Sequence, residues 1–393
     1  MRINELDYLL PPDRIALRPA TPRDHSKLMV VSRAALSSPA IAIPGPTSQA
    51  EHHHFYEIPR YLLPGDLLVV NNTRVVPAKL FLRRNTANPR ATTQARSAPA
   101  PAGALIQGLF VRELEPALWE VLLRTRGKVK LGEDLRGGPD GGYRFTLEER
   151  LGDGVWRVRI SAPAGLPLDA SHVLDVIGHV PLPPYIIKQR KQAGRAEEQE
   201  EDRQWYQTVF AAADHGASVA APTAGLHFTP GLLATLEAQG VQRVTVDLEV
   251  GLGTFMPVQT ETLEAHIMHR ERYTVPAQTV AALRVARAQG RRIVVVGTTA
   301  VRTLEAAAGA ILNASLPPTD MQGETDLKIA PGFTFRLTDA LITNFHLPKS
   351  TLMALVAAFL GENGVEKLQG IYGMAIREGY RFYSYGDAMM IVP

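Results

Sequence analysis

The apolar residues of this chain change their period partway along it, and that change constrains the fold more than any single motif. Between about residues 76 and 170 they fall in short runs with a period near two: Ala104 to Val111, Leu118 to Arg124, Gly142 to Leu147 and Val155 to Ile160, separated by Gly and Asp turns. A period of two places alternate side chains on one face of a strand and gives a helix no apolar stripe. Short strands at this spacing predict a small antiparallel barrel or sandwich. After residue 205, strand-like and helix-like runs alternate instead. Thr229 before Pro230 predicts a helix over Gly231 to Gln239, closed by Gly240. Val244 to Val250 predicts a buried strand, Thr279 to Gln289 an amphipathic helix, Arg292 to Val296 a strand, and Ala300 to about Leu312 a helix. Such alternation predicts an α/β layered domain with its site at the strand-to-helix turns. A further buried strand, Asp66 to Val70, precedes the period-two block. The expected fold is therefore an α/β main domain, residues 1–75 and 171–393, interrupted by a small antiparallel β-barrel domain at 76–170.

Composition excludes several classes. The chain has 393 residues, 45% of them apolar, which is enough for a sizeable core. Its longest uncharged apolar stretch, Leu352 to Gly361, is about half the roughly 18 residues of a membrane-spanning helix. The amino terminus, Met1 to Glu5, lacks the apolar core of a signal peptide, so a cytoplasmic protein is expected. With no cysteine there is no disulfide, no thiolate nucleophile and no Cys-ligated zinc. Two stretches rich in Ala, Pro, Ser and Thr, residues 33–50 and 85–103, are expected to be mobile loops. His52, His53 and His54 border the first and are expected to be solvated. The run from Lys188 to Arg203 carries ten charged side chains in sixteen and predicts a solvent-facing loop or frayed helix.

Charge is informative by its distribution. Lys plus Arg number 42 against 39 acidic residues, but from Ala78 to Ile160 there are 15 basic and 9 acidic residues. Four of those basic residues, Arg124, Arg126, Lys128 and Lys130, would alternate onto one face of a strand. Such a comb can neutralise phosphates, the main source of sequence-independent nucleic-acid affinity; the alternative is an ordinary solvated strand face.

The polar motifs sit at turns. Thr223, Gly225 and His227 precede a helix start, where unpaired N–H groups favour an anion and an imidazole can serve as acid or base. Gly251-Leu252-Gly253 and Gly297-Thr298-Thr299 are turns that let backbone approach a ligand, though neither fits the Rossmann or P-loop fingerprint. His266-Ile267-Met268-His269-Arg270-Glu271 has neither HExxH nor facial-triad spacing. No metal is expected there; an acid/base pair of His269 and Glu271 is the better reading. Asn344, His346, Lys349, Ser350 and Thr351 form a second polar loop before an apolar helix, and capping explains only the last two. Tyr380 to Met389 alternates aromatic and polar residues, suited either to stacking on bases or to filling the core.

Taken in order, these phrases resemble one family. They are LPPDRIALRPATPRDHSKLMV from Leu10, GDLLVVNNTRVVPAKL from Gly65, GHVPLPPYI from Gly178, YQTVFA from Tyr206, APTAGLHFT from Ala221, VGLGTF, HIMHRE, VGTTAVRTLE, LITNFHLPKSTLM and YRFYSYGDAM. The chain resembles the S-adenosylmethionine:tRNA ribosyltransferase-isomerase family of queuosine biosynthesis over nearly its whole length. It departs from that family's pattern at Asn72, Glu249 and Ala300, where Asp, His and Ser are usual. The resemblance implies an α/β domain with an inserted β-barrel. It also implies transfer of the ribosyl portion of S-adenosylmethionine to 7-aminomethyl-7-deazaguanine at the tRNA wobble position, giving epoxyqueuosine with release of adenine and methionine.

The reaction limits which side chains can serve. The sulfonium acidifies the adjacent C5′ hydrogens, so a positioned base can form an ylide-like carbanion. Adenine leaving C1′ is helped by a proton on its ring, and the aminomethyl nitrogen must be neutral to attack. The expected catalytic residues are His227, His269, Glu271 and Asp387. The expected substrate-binding residues are Thr223, Gly225, Gly253, Thr298, Arg302, Asn344, His346 and Lys349, with Arg302 and Lys349 placing charge and Asn344 reading a base edge. Arg124, Arg126, Lys128 and Lys130 are the expected RNA contacts. S-adenosylmethionine is expected as a consumed cosubstrate without a prosthetic group, and tRNA as the partner of a monomer. The rival readings are a noncatalytic RNA-binding module and a metal-dependent hydrolase built on His266, His269 and Glu271.

Overall fold

A computed structural model of the chain describes residues 1–37, 50–84, 103–125, 127–212, 217–251, 258 and 260–393. These divide into two compact units, Met1–Val75 with Leu182–Pro393, and Val76–Pro181.

Among the described residues the larger unit is built on a nine-stranded mixed sheet. In spatial order its strands are Met321–Thr325, Glu271–Val275, Gln242–Leu248, Leu67–Asn71, Ile293–Val296, Ala340–Asn344, Ala388–Val392, Lys27–Ser32 and Ala50–His54. The four central strands from Gln242–Leu248 to Ala340–Asn344 run parallel, and antiparallel pairs flank them. Both faces are covered, so Ile293–Val296 is apolar throughout and Leu67–Asn71 and Ala340–Asn344 are wholly buried, with polar residues at their carboxyl ends. Leu67, Val69, Ile293 and Val295 enter one core; Leu68, Val70, Val294 and Val296 enter the other. The helices begin where the turn chemistry puts them. Thr229 Oγ1 accepts the Leu232 N–H at 3.2 Å to cap Pro230–Ala238, and Ser350 Oγ accepts that of Met353 at 3.3 Å to cap Thr351–Leu360. Gly297, at φ +86°, turns the Ile293–Val296 strand into the Thr298–Ile311 helix in a left-handed conformation that a side chain would strain.

Among the described residues the smaller unit is a closed antiparallel barrel. Its strands, in order, are Val155–Ser161, Leu118–Arg124, Leu105–Glu115, Lys79–Arg84, Asp134–Gly137 and Tyr143–Gly152. Alternate residues such as Leu80, Leu82, Trp119, Val121, Phe145 and Leu147 fill it. Of the two alternatives left by the period-two pattern, the chain takes the barrel.

Three local expectations are corrected. The basic comb is not on a strand: Leu118–Arg124 ends at its first member, and Lys128 and Lys130 lie in a non-strand segment where the Lys130 N–H donates to Glu133 at 2.9 Å. Arg126 lies outside the described residues. The charged run is not uniformly solvent-facing. Arg190 is fully buried within the helix Pro184–Gln192, its guanidinium bridging both carboxylate oxygens of Asp202 at 2.6 and 2.7 Å and donating to the Leu17 carbonyl at 2.9 Å. The first Ala/Pro-rich stretch opens with the helix Arg33–Ser37, and its remainder at 38–49 lies outside the described residues, as do 85–102 of the second. His52 and His54 are exposed and His53 half-buried, in keeping with a solvated run, although all three pair with Lys27–Met29 in the sheet and His52 Nδ1 lies 2.9 Å from the Tyr380 hydroxyl. The carboxyl-terminal aromatics Tyr380, Phe382, Tyr383 and Tyr385 are buried and pack the core. No helix among the described residues is long and apolar enough to cross a membrane.

Candidate active site

The parallel strands deliver their carboxyl ends to one place, where open α/β sheets gather ligand-binding turns. Two cavities of the larger unit lie there. The smaller, of about 120 Å³, is lined by Pro222–Ala224, Val250, Gly297–Thr299 and Thr343–Leu347, together with Tyr185, Tyr383 and Ser384. The larger, of about 560 Å³, is lined by Lys188, His266, His269, Lys328 and Lys349 and by apolar residues including Met268, Ile329 and Leu355. Tyr185, Glu271, Arg302, Leu347 and Leu352 line both cavities, which joins them into one candidate site.

The shared wall is an ion pair. Arg302 Nη1 donates to Glu271 Oε2, Arg302 Nε donates to the Leu327 carbonyl at 3.1 Å, and Glu271 Oε1 accepts the Gly251 N–H at 3.2 Å. Both residues are buried, at 7% and 6% exposure. Arg302 Nη2 and Thr299 Oγ1 are nonetheless buried without a hydrogen-bond partner among the described residues. Buried polar groups are rarely left so, and both belong to residues that line the smaller cavity.

His227 is placed differently from the expectation. It lies beneath the smaller cavity, with Nδ1 2.8 Å from Ser26 Oγ and Nε2 3.2 Å from the Asn344 amide nitrogen. An amide NH₂ can only donate, so Nε2 accepts and Nδ1–H donates to Ser26; the network assigns this tautomer. Burial, and then the nearby Arg381 and Arg23 charges, push its pKa down from 6.5 to about 3. A neutral ring with both nitrogens engaged holds Asn344 in place. Asn344 is itself occupied: it accepts from Thr223 Oγ1 at 2.9 Å and donates to the Tyr383 carbonyl at 3.2 Å, which leaves little amide capacity for a base edge. Tyr383 presents that carbonyl from a left-handed conformation, φ +71°.

Asp387 departs furthest from its expected role. Its carboxylate accepts the Arg381 and Lys27 backbone N–H groups at 2.7 and 3.1 Å and the Arg381 guanidinium at 3.0 Å, and it lines neither cavity. It clasps the carboxyl-terminal turn. Gly225 packs against Thr208 and Phe210, where an added Cβ would lie 3.1 Å from Thr208 Cγ2. Gly253 lies outside the described residues. Thr223, Thr298, Arg302, Asn344 and His346 line the smaller cavity, while His269, Glu271, Arg302 and Lys349 line the larger. Lys349 pairs with Asp7 at 2.9 Å, and His346 Nε2 lies 2.7 Å from Thr343 Oγ1, its pKa pushed by burial to about 4. Among the described residues, no group of three or more His, Asp or Glu is placed to hold a metal ion.

The depressed histidines set an acid limit on stability. Between about pH 6.5 and their folded values of about 3 and 4, the unfolded chain binds protons that the folded chain refuses. Stability therefore falls as pH drops below about 6.5, by up to about 1.4 kcal/mol per pH unit for each histidine. Denaturant titrations at several pH values should show His227→Gln removing one proton's worth of that slope. An unchanged slope would mean that His227 is protonated in the folded protein.

Sequence reasoning missed Tyr185, Thr299, Tyr383 and Ser384. Tyr185 pairs through its hydroxyl with Ser384 Oγ and accepts the Ser384 N–H at 3.1 Å. All four lie in the quoted phrases or the glycine turn, but nothing in their spacing separates a cavity-lining hydroxyl from a buried one.

Comparison with known proteins places the chain. The family model described as "Queuosine biosynthesis protein" matches residues 3–391. An S-adenosylmethionine:tRNA ribosyltransferase-isomerase from Moorella thermoacetica is 42% identical over 401 residues, covering 100% of both chains. One of the same name from Desulfitobacterium hafniense is 43% identical over 392 residues, again covering 100% of both. A crystal structure of S-adenosylmethionine tRNA ribosyltransferase from Thermotoga maritima is 36% identical, covers 99% of this chain and 100% of its own, and has a TM-score of 0.49.

Proposed function

The chain belongs to the queuosine biosynthesis family, and we infer that it is an S-adenosylmethionine:tRNA ribosyltransferase-isomerase. It transfers the ribosyl moiety of S-adenosylmethionine to 7-aminomethyl-7-deazaguanine at the tRNA wobble position, forms epoxyqueuosine, and releases adenine and methionine. The single observation that carries this is full-length identity above 40% to relatives bearing that enzyme's name. The noncatalytic RNA-binding alternative finds no support in those relatives. S-adenosylmethionine enters as a cosubstrate, and no prosthetic group is invoked. The natural setting is the cytoplasm, and because residues of one chain line both cavities, a monomer suffices.

Within this reading, we propose the following roles, which the geometry supports. His269, exposed at the larger cavity, is the group free to move a proton. Glu271, on the shared wall, faces the position where a sulfonium or a departing proton can be stabilised. Arg302 orients Glu271, and Lys188, Lys328 and Lys349 give the larger cavity the positive lining that a phosphate-rich partner suits. His227, Asn344 and Asp387 position the turns around them. Incubation with labelled S-adenosylmethionine and precursor-bearing tRNA, followed by nucleoside analysis, tests the function directly. Epoxyqueuosine with stoichiometric adenine is expected, and tRNA binding without adenine release would overturn it.

The barrel's exposed Arg124, Lys128 and Lys130 are proposed to meet the tRNA backbone. Lys128→Gln with Lys130→Gln should flatten the logarithmic salt dependence of tRNA affinity by about 1.4 to 1.8 units of slope. An unaltered slope would put the RNA elsewhere.

A further inference from the structure

We propose that the smaller cavity holds the methionyl end of S-adenosylmethionine as a zwitterion. Its carboxylate meets Arg302 Nη2, Thr299 Oγ1 and the amino end of the Thr298–Ile311 helix; its ammonium lies toward Glu271; and the sulfonium and adenosine extend into the larger cavity. The proposal rests on the enzymatic reading above and adds the orientation of the cosubstrate to it.

Three independent observations converge on it. The Thr298–Ile311 helix opens against the cavity with no side-chain cap and no acidic residue in its first turn, so its leading N–H groups and dipole are left to favour an anion. Arg302, one turn along that helix and 93% buried by its 7% exposure, keeps one guanidinium nitrogen without a partner among the described residues, as Thr299 does its hydroxyl. Both groups can donate to a carboxylate, and the guanidinium does so as a charge-assisted bond. The anionic Glu271 shares the wall, so a purely anionic group there would meet repulsion, whereas an α-ammonium beside the carboxylate meets a complementary charge.

Size gives the direction. About 120 Å³ corresponds to about four waters at their share of roughly 30 Å³ each, room for a small polar head and not for a nucleoside. The larger cavity, at about 560 Å³, falls within the roughly 300–1,000 Å³ typical of drug-sized ligands. With Glu271 facing both, the cationic sulfur between head and nucleoside sits next to a carboxylate.

The test compares S-adenosylmethionine with its decarboxylated analogue by calorimetry on the full chain, with adenine release from precursor-bearing tRNA measured in parallel. The unaltered chain should bind the intact compound about 10- to 100-fold more tightly than the analogue, as loss of charge-assisted hydrogen bonds predicts. Thr299→Val leaves the Arg302–Glu271 pair untouched; it should weaken the intact compound by about 2- to 10-fold and the analogue by less than 2-fold. Arg302→Lys should erase most of the discrimination. Equal affinity for both compounds, or variants that weaken both alike, would overturn the subsite while adenine release upholds the enzyme. Absence of both binding and adenine release would overturn the enzymatic reading, and the subsite with it.

Discussion

Glu271→Ala should cost the protein about 3–5 kcal/mol of stability as well as its turnover, because it strands the buried Arg302 charge that Glu271 offsets. That double loss alone would not separate a structural role from a chemical one. The paired exchange Glu271→Leu with Arg302→Met separates them. Replacing a buried ion pair by apolar side chains of similar volume is often neutral or stabilising, by about 1–4 kcal/mol, since neither charge then has to be desolvated. The double variant should therefore recover most of the stability lost by Glu271→Ala, read by urea denaturation of the full chain. It should still release no adenine, since neither the carboxylate nor the guanidinium remains at the joined cavities. Turnover by the double variant near the parental rate would reduce this pair to a structural brace. It would also remove the physical reason for assigning it to the reaction.

The same pair marks the limit of what the chain's pattern discloses. The period-two block is legible because strand alternation is local: Leu118 to Arg124 is a strand over the expected residues, and Leu105–Glu115, Tyr143–Gly152 and Val155–Ser161 keep the expected starts within a residue. The helix starts are legible for the same reason, since Thr229 and Ser350 act on N–H groups three residues away. Lys79–Arg84 and Asp134–Gly137 escape notice because one abuts the Ala/Pro-rich stretch and the other has four residues and a single buried side chain, Leu135. Side-chain partnership across the fold is not local. Arg302 and Glu271 are 31 positions apart and His227 and Asn344 are 117, separations that no spacing rule anticipates. Arg190 shows the converse: ten charges in sixteen residues signal solvent, yet one arginine turns inward because Asp202 and the Leu17 carbonyl satisfy it. Asp387 was legible as a functional phrase but not as a clasp, since an acid/base carboxylate and a turn-closing one look alike until their donors are placed.

His269→Ala should lower the single-turnover rate of adenine release by about 10²- to 10⁴-fold, the usual contribution of a positioned acid or base. The reasoning turns on a contrast between two histidines of the same chain. His227 is buried, neutral and bonded at both ring nitrogens, so a proton added at Nε2 would have to displace the Asn344 amide that donates to it. His269 lies at the exposed mouth of the larger cavity, two residues before Glu271. Its removal deletes no core contact, so stability should change by less than about 0.5 kcal/mol, as for other exposed positions. A rate loss without a stability loss then reports on proton transfer. Its signature is disappearance of one limb of the pH–rate profile, whereas His227→Gln should keep both limbs and lose rate uniformly through displacement of Asn344. If His269→Ala retains its rate within threefold and keeps both limbs, the proton moves through another group on the cavity wall, and His266, which also lines that cavity, becomes the residue to replace.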